Sequence, residues 1–395
     1  MTIAAAIESR TAEAPARSKI SRIARVEIIS DLPKAEPIWR ELETRQLATP
    51  YQRFDLLAAW QREVGARENA QPFIVTAHDA DGRPLVLLPL AIRSRHGVRV
   101  ACFMGGKHAN FNMGLWDRDF AREATASDLD VLLSYLREKS ACDVLVLKQQ
   151  PRHWQDYLNP LATLSRQPSV NDFPVLHMIP GDPAINRISN SFRKRLKSKE
   201  RKLQSAGYRY YIATSDADIE RILDWFFHVK PMRMAEQKLP DVFAEPGIPE
   251  FVRAACLAQL PGGSHAIDIH ALECDDEVIA IFAGVADGHR FSMMFNTYTM
   301  SARARYSPGL ILMRSIIDYY GERGYRALDL GIGSDDYKRM FCKGDEPIFD
   351  SFLAVSTRGK VAATVMSSLA HAKRLVKQTP ALMQMAQMLR GVLHR

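Results

Sequence analysis

At 395 residues, 47% hydrophobic and 25% charged, the chain has the apolar content of a globular protein and enough length for two domains with full cores. No apolar run of about 18 residues occurs, which argues against a membrane-spanning helix. The formal net charge of +8 points to an acidic partner, whether phosphate, nucleotide, nucleic acid or an anionic membrane.

The five cysteines (Cys102, Cys142, Cys256, Cys274, Cys342) are scattered, without paired metal-ligand spacing or a disulfide framework. That usage suits a reducing compartment, and a cytoplasmic location is expected, with no metal. Cys342, close to Lys338 and Lys343, is the candidate for a reactive thiol; a small core hydrophobe is the competing reading.

Residues 1–20 are Ala-rich, turn polar, and lack the regions of a signal peptide, so they read as a disordered leader. A first half, 21–171, follows. Its pattern predicts a strand at 24–29, a helix at 35–44 burying Trp39 and Leu42, and a second helix at 54–64. Three strands are expected at 72–77, 85–93 and 98–104, the first two separated by the turn signal Asp79-Ala80-Asp81-Gly82. A helix at 128–139 and a short buried strand at 144–147 complete it.

The second half, 172–357, opens with a strand at 174–179 and a strongly basic helix at 188–205, ended by Gly207. A strand at 208–213 and helices at 216–230 and 249–260 come next. Strands at 266–274, 278–286 and 290–298 follow, the first pair joined at Asp275-Asp276. Pro308 and Gly309 then start a helix whose Leu310, Met313, Ile316 and Ile317 recur at helical spacing. A strand at 326–330, a Gly331-Ile332-Gly333 loop and a polar helical turn carrying Asp335, Asp336, Tyr337 and Lys338 lead to a strand at 348–355, expected to close the second sheet.

The two halves share a coarse element order, which suggests duplication. Residues 358–395 form a basic, acid-free, amphipathic tail of one or two helices broken near Pro380, with Met366, Leu369, Leu375, Leu382, Met383, Met385 and Met388 as its apolar positions. Packing across the domains and peripheral contact with the inner membrane both suit such a tail.

The second-half order resembles the GNAT acyltransferase fold. FRKRLKSKERKLQSAG at 192–207, YSPGLIL at 306–312, ALDLGIGSDDYKRMF at 327–341 and the run into Gly105-Gly106 at 81–116 are similar to the CelD/BcsL (cellulose biosynthesis) branch. That branch is related to the Fem-type tandem-domain transferases. The resemblance implies an α+β chain of two tandem GNAT-like domains with mixed, mostly antiparallel sheets and a helical tail. The second domain would be catalytic and the first degenerate.

The same resemblance implies acyl-CoA as co-substrate and a small-molecule or saccharide acceptor, with acyl transfer to an amine or hydroxyl of a sugar, polysaccharide or cell-envelope precursor. Lys338 would stabilise the tetrahedral oxyanion and Tyr337 would protonate the leaving thiolate. Asp335 or Asp336 would deprotonate an ammonium acceptor, or cap the short helix instead. The family's usual Arg-x-x-Gly-x-Gly/Ala pyrophosphate loop is replaced by ARARYSPGL. Donor phosphate is therefore assigned to Arg305, Ser307, Gly309 and Leu310 at a helix start. Arg233 and Glu236 would meet the acceptor, and His108 and Asn110 would line a cleft between the halves.

Nine basic residues against Glu200 lie between Arg187 and Arg209. Like charges at helical spacing repel, so an anionic ligand there, contacted by Arg193 and Arg195, competes with a solvated helix face. Two other functions stay open: a Fem-like aminoacyl transferase using aminoacyl-tRNA, the only reading with a nucleic-acid partner, and a non-catalytic accessory protein of exopolysaccharide biosynthesis.

Overall fold

The computed structural model describes residues 21–204, 207–333 and 335–379. The leader at 1–20, the break near Pro380 and the apolar positions Leu382, Met383, Met385 and Met388 lie outside the described residues.

The first half consists of β1 (Arg25–Ile29), α1 (Leu32–Arg45), α2 (Phe54–Trp60), β2 (Gln71–His78), β3 (Pro84–Arg95), β4 (Val98–Phe103), α3 (Ala126–Glu138) and β5 (Val144–Pro151). Trp39 and Leu42 of α1 are buried, as their spacing demands. The β2–β3 turn closes because Asp79 Oδ1 accepts from the amides of Asp81 and Arg83, which supplies the reversal that the sequence signals. Strands β1 to β4 pair antiparallel in sequence order, and β4 then runs parallel to β5 with Val100 opposite Val144.

The second half comprises β6 (Pro174–His177), α4 (Asn190–Gln204), β7 (Arg209–Ile212), α5 (Asp216–Glu236), α6 (Ile248–Leu257), β8 (Asp268–Cys274), β9 (Glu277–Ala286), β10 (Arg290–Tyr298), α7 (Pro308–Glu322), β11 (Ala327–Asp329), α8 (Asp336–Phe341), β12 (Ile348–Ala354) and α9 (Thr357–Gln378). Asp275 and Asp276 both adopt left-handed backbone (φ 51° and 59°), the primed turn that matches strand twist in a two-residue hairpin. Strands β7 to β10 pair antiparallel in order, and β10 runs parallel to β11.

The second half lends one strand to the first half's sheet. The segment after the first half, β6, pairs antiparallel with β11 in the second sheet. The strand β12, expected to close the second sheet, instead pairs antiparallel with β5 in the first, with Phe352 opposite Val146. Its apolar pairs Ile348-Phe349 and Phe352-Leu353 specify a buried strand, and a strand's pattern does not name its neighbour.

A single hydrophobic cluster runs from Trp39 and Leu57 in the first half to Phe226 and Phe295 in the second. Arg53 reinforces this seam, donating to the carbonyls of Ala266 (3.1 Å) and Ala286 (2.5 Å). Helix α9 packs through Ala363 and Met366 against Val144 and Val146, and it exposes Val361, Val365 and Leu369. Among the described residues, no helix is long and apolar enough to cross a membrane.

Candidate active site

The site begins where two parallel strands part. β10 and β11 pair over three residues only (Arg290, Phe291 and Ser292 opposite Ala327, Leu328 and Asp329), while β10 runs on to Tyr298. Beyond Ser292 the ladder is lost and a gap opens. A bulge in β10 turns its outer part, since the register with β9 slips between Ala283 opposite Phe295 and Gly284 opposite Met293. Gly284 is required there because a Cβ would lie 2.4 Å from the carbonyl oxygen of Ser292.

The gap is a cleft of about 710 Å³. Its walls are the outer part of β10, the Leu330–Ile332 segment after β11, the start of α7, the C-terminal end of α5, and Asn110 from the first half. Asn110 donates to the Tyr51 hydroxyl (2.7 Å) and to the carbonyl of Met293 (2.6 Å), so the first half braces the bulge.

Asp329, at the end of β11, anchors the cleft floor. It is fully buried, accepts from Ser292 Oγ (2.6 Å) and the Gly331 amide (3.1 Å), and lies 3.9 Å from Arg290. Burial pushes its carboxyl up to about 6, against the opposing pull of Arg290 and these hydrogen bonds. Gly331 has φ 73°, and a Cβ there would meet the Asn110 amide at 3.0 Å.

Lys338 and Tyr337 both line the cleft from α8. The Lys338 ammonium donates to the carbonyls of Ile332 (2.7 Å) and Gly331 (3.4 Å) and lies 3.3 Å from Asp335, so its three hydrogens staple the loop before α8. Burial lowers its pKa while Asp335 and Asp329 oppose the shift. The Tyr337 hydroxyl lies 3.4 Å from Asn296 Nδ2, and burial followed by the charge of Asp335 holds the phenol in its protonated form. Asp335 also lines the cleft, whereas Asp336 is exposed on α8 and does not.

Ser307, Gly309 and Leu310 line the cleft at the start of α7. Ser307 takes a left-handed conformation (φ 57°), makes no side-chain cap, and receives a hydrogen bond from Lys199 of α4 (2.7 Å). No acidic residue occupies the first turn, which leaves a positive helix end facing the gap. Arg305 does not line the cleft; it is exposed and stacks on Tyr306. Its neighbour Arg303 is neutralised by Asp275 and Glu277.

Arg233 lines the cleft and Glu236, exposed at the end of α5, does not. Arg193 does not line the cleft: it is buried and forms a two-armed ion pair with Asp318 of α7, one arm 2.7 Å long. A lone buried guanidinium is costly, and this pairing resolves the cost by fixing α4 to α7. Arg195 is exposed and lies over the Phe192 ring.

His108 lies outside the cleft lining. It packs on Phe243 and Phe251 at the seam, where burial lowers its pKa to about 4. Cys342 is no reactive thiol, because burial pushes it up to about 12.

Among the cleft residues that the sequence did not single out are Lys230, Asn296 and Tyr298. Pro231 suggested that the helix stops at 230, but α5 continues through it to Glu236. The signal was present in the buried stripe Ile219, Ile222, Phe226, Val229 and Arg233, which keeps helical spacing across the proline.

The profile of the acetyltransferase (GNAT) domain family matches residues 190–339. No curated protein sequence matches the chain. Among solved structures, the chain is similar to the C-terminal domain (DUF2156) of a putative lysylphosphatidylglycerol synthetase from Agrobacterium fabrum (TM-score 0.51, 11% identity, 85% of this chain and 95% of that one). It is also similar to L-PGS from Bacillus licheniformis (TM-score 0.50, 11% identity, 89% and 99%) and to FemX (TM-score 0.52, 11% identity, 83% and 97%). At such identities the likeness is one of fold. Residues 190–339 are a GNAT-type acetyltransferase domain, and the chain is an acyltransferase.

Proposed function

We propose that the second half transfers an acyl group from acyl-CoA to an amine or hydroxyl of a sugar, polysaccharide or cell-envelope precursor, with both substrates bound together in the cleft. The observation that carries this reading is the meeting of an uncapped helix start, Ser307–Leu310, with Tyr337 and Lys338 in one gap between parted strands. Donor phosphate would sit at the Gly309 amide and the positive end of that helix, where the Leu310 and Ile311 amides already donate to the Ser307 carbonyl (3.0 and 3.2 Å).

The acceptor's lone pair attacks the thioester carbonyl, giving a tetrahedral oxyanion. The carbon–sulfur bond then breaks, the Tyr337 phenol gives its proton to the departing thiolate and regains one from solvent, and the acceptor's surplus proton leaves to solvent. Lys338 contributes positive potential from the wall while it holds the loop, because its hydrogens are already engaged. No covalent enzyme intermediate is needed.

Thermal-shift titrations with CoA, acetyl-CoA and a longer acyl-CoA test the donor, and binding of at least one is expected. Tyr337→Phe is expected to lower kcat roughly 100-fold with little change in donor affinity. Failure of all three donors to bind, together with salt-sensitive tRNA binding, would favour the aminoacyl-tRNA reading. One observation supports that second reading: Lys194, Arg195, Lys197, Arg201 and Lys202 form an exposed basic face on α4.

A further inference from the structure

The C-terminal end of α5 carries two cations that no described carboxylate meets at ion-pair distance, although Asp241 and Asp335 act on one and Glu236 on the other from farther away. Lys230 and Arg233 are one helical turn apart and both line the cleft. Lys230 Nζ donates to the carbonyl of Asn296 (3.1 Å), and Arg233 donates to Thr297 Oγ1 (3.3 Å) and lies over the Tyr298 ring, 3.4 Å from its centroid. Among the described residues, neither has a carboxylate within ion-pair distance. The contrast is local, since Lys338 has Asp335 and Arg193 has Asp318.

Arg233 is 7% exposed, so its charge has little water to stabilise it. Burial and then repulsion from Arg233 lower the pKa of Lys230 to about 8, while Asp241 and Asp335 oppose the shift. Two like charges drawn out of water side by side destabilise the cleft unless an anion joins them.

Their placement defines what that anion accompanies. Lys230 and the Tyr337 hydroxyl flank the same residue, Asn296. Arg233 lies against Tyr298, whose ring also borders Gly309 at the start of α7. The pair therefore spans the distance from the reacting level to the helix start.

We propose that Lys230 and Arg233 form an anion subsite that takes a phosphate or carboxylate group of a bound substrate. The inference rests on the acyltransferase reading for its substrates, but its own test does not require turnover. Either the donor's phosphates or an acidic group on the acceptor supplies the anion.

Sulfate is a suitable probe because its charge is constant from pH 6 to 9. Calorimetric titration of sulfate onto the full chain is expected to show binding that weakens at least tenfold in Arg233→Gln and in Lys230→Gln, while Arg233→Lys retains most of it. Binding should also weaken as pH rises from 7 to 9, because Lys230 then loses its proton while Arg233 keeps its charge. Circular dichroism and Tm confirm that each variant is folded.

Repeating the titration in saturating CoA separates the sources. Competition assigns the subsite to donor phosphate, and simultaneous binding assigns it to an acidic acceptor. Arg233-dependent sulfate binding without any CoA binding would leave the subsite standing and remove acyl-CoA as donor. Equal sulfate affinity in the wild type and both neutral variants would overturn the subsite and leave the donor reading untouched.

Discussion

The two halves place a helix at the same topological point, between two parallel strands, and treat its N-terminus in opposite ways. In the first half, α3 is closed by its own residues. Thr125 and Asp128 form a reciprocal cap, with Asp128 accepting from the Thr125 amide (2.9 Å), the Thr125 hydroxyl (2.7 Å) and the Arg22 amide (3.1 Å). In the second half, α7 has no side-chain cap and no acid in its first turn, and Lys199 stands beside it. The first half closes its helix end with its own residues; the second leaves it facing the cleft, where the proposed donor would bind.

The most damaging way to break this contrast is to give α7 the residue that closes α3. Leu310 holds the same third helical position as Asp128, so Leu310→Asp carries the carboxylate across. It should weaken CoA binding roughly 100-fold, about 2.7 kcal/mol, by repelling donor phosphate, as calorimetry would show. The folded state should lose some of the packing that Leu310 makes on the second core, offset in part because an acid suits a helix N-terminus, so Tm is read beside the affinity.

A smaller effect is expected from removing an unpaired charge that the open cleft tolerates. Lys230 has a folded pKa of about 8, below its unfolded value, so burying the charged form costs stability below pH 8. That cost fades as pH rises from about 8 to 10.5, where the folded chain has released the proton and the unfolded chain still holds it. Lys230→Met should therefore stabilise the protein by on the order of 1–2 kcal/mol at pH 7, and by less at pH 10, in urea unfolding curves. A variant no more stable than the wild type at pH 7 would count against an unbalanced charge.

The smallest change is the reciprocal one. Asp128→Ala should cost about 1 kcal/mol of stability through the lost cap and leave CoA affinity within twofold. A large loss of CoA binding in this variant would place ligand in the first half and reverse the comparison.

Much of this was legible in the sequence because it is local. The start of α7 at Pro308, the hairpin at Asp275-Asp276 and the buried stripes of α1 and α5 follow from spacing and turn chemistry within a few residues. The tandem, mostly antiparallel architecture followed from the order of those elements. The misplaced features depend on partners far along the chain. Strand β12 pairs some 200 residues upstream, and its apolar pattern carries no address for β5. Arg193 looked like part of a ligand-binding basic face until Asp318, 125 residues away, claimed it.

The cleft residues divide along the same line. Lys338 and Tyr337 could be singled out because they follow a Gly-rich strand end. Lys338's engagement with the Gly331 and Ile332 carbonyls could not be read, because it depends on the conformation of that loop. Lys230 went unnoticed behind Pro231, which removes one backbone donor and yet leaves the tertiary packing of α5 intact.

Hydrogen–deuterium exchange with and without saturating CoA tests the central claim most directly, because both helix starts are read in one experiment. The account predicts slowed exchange at the amides of 309–311 and in the loop at 331–338, with no change at 125–129. Protection at 125–129, or no protection at 309–311 under saturating CoA, would contradict it.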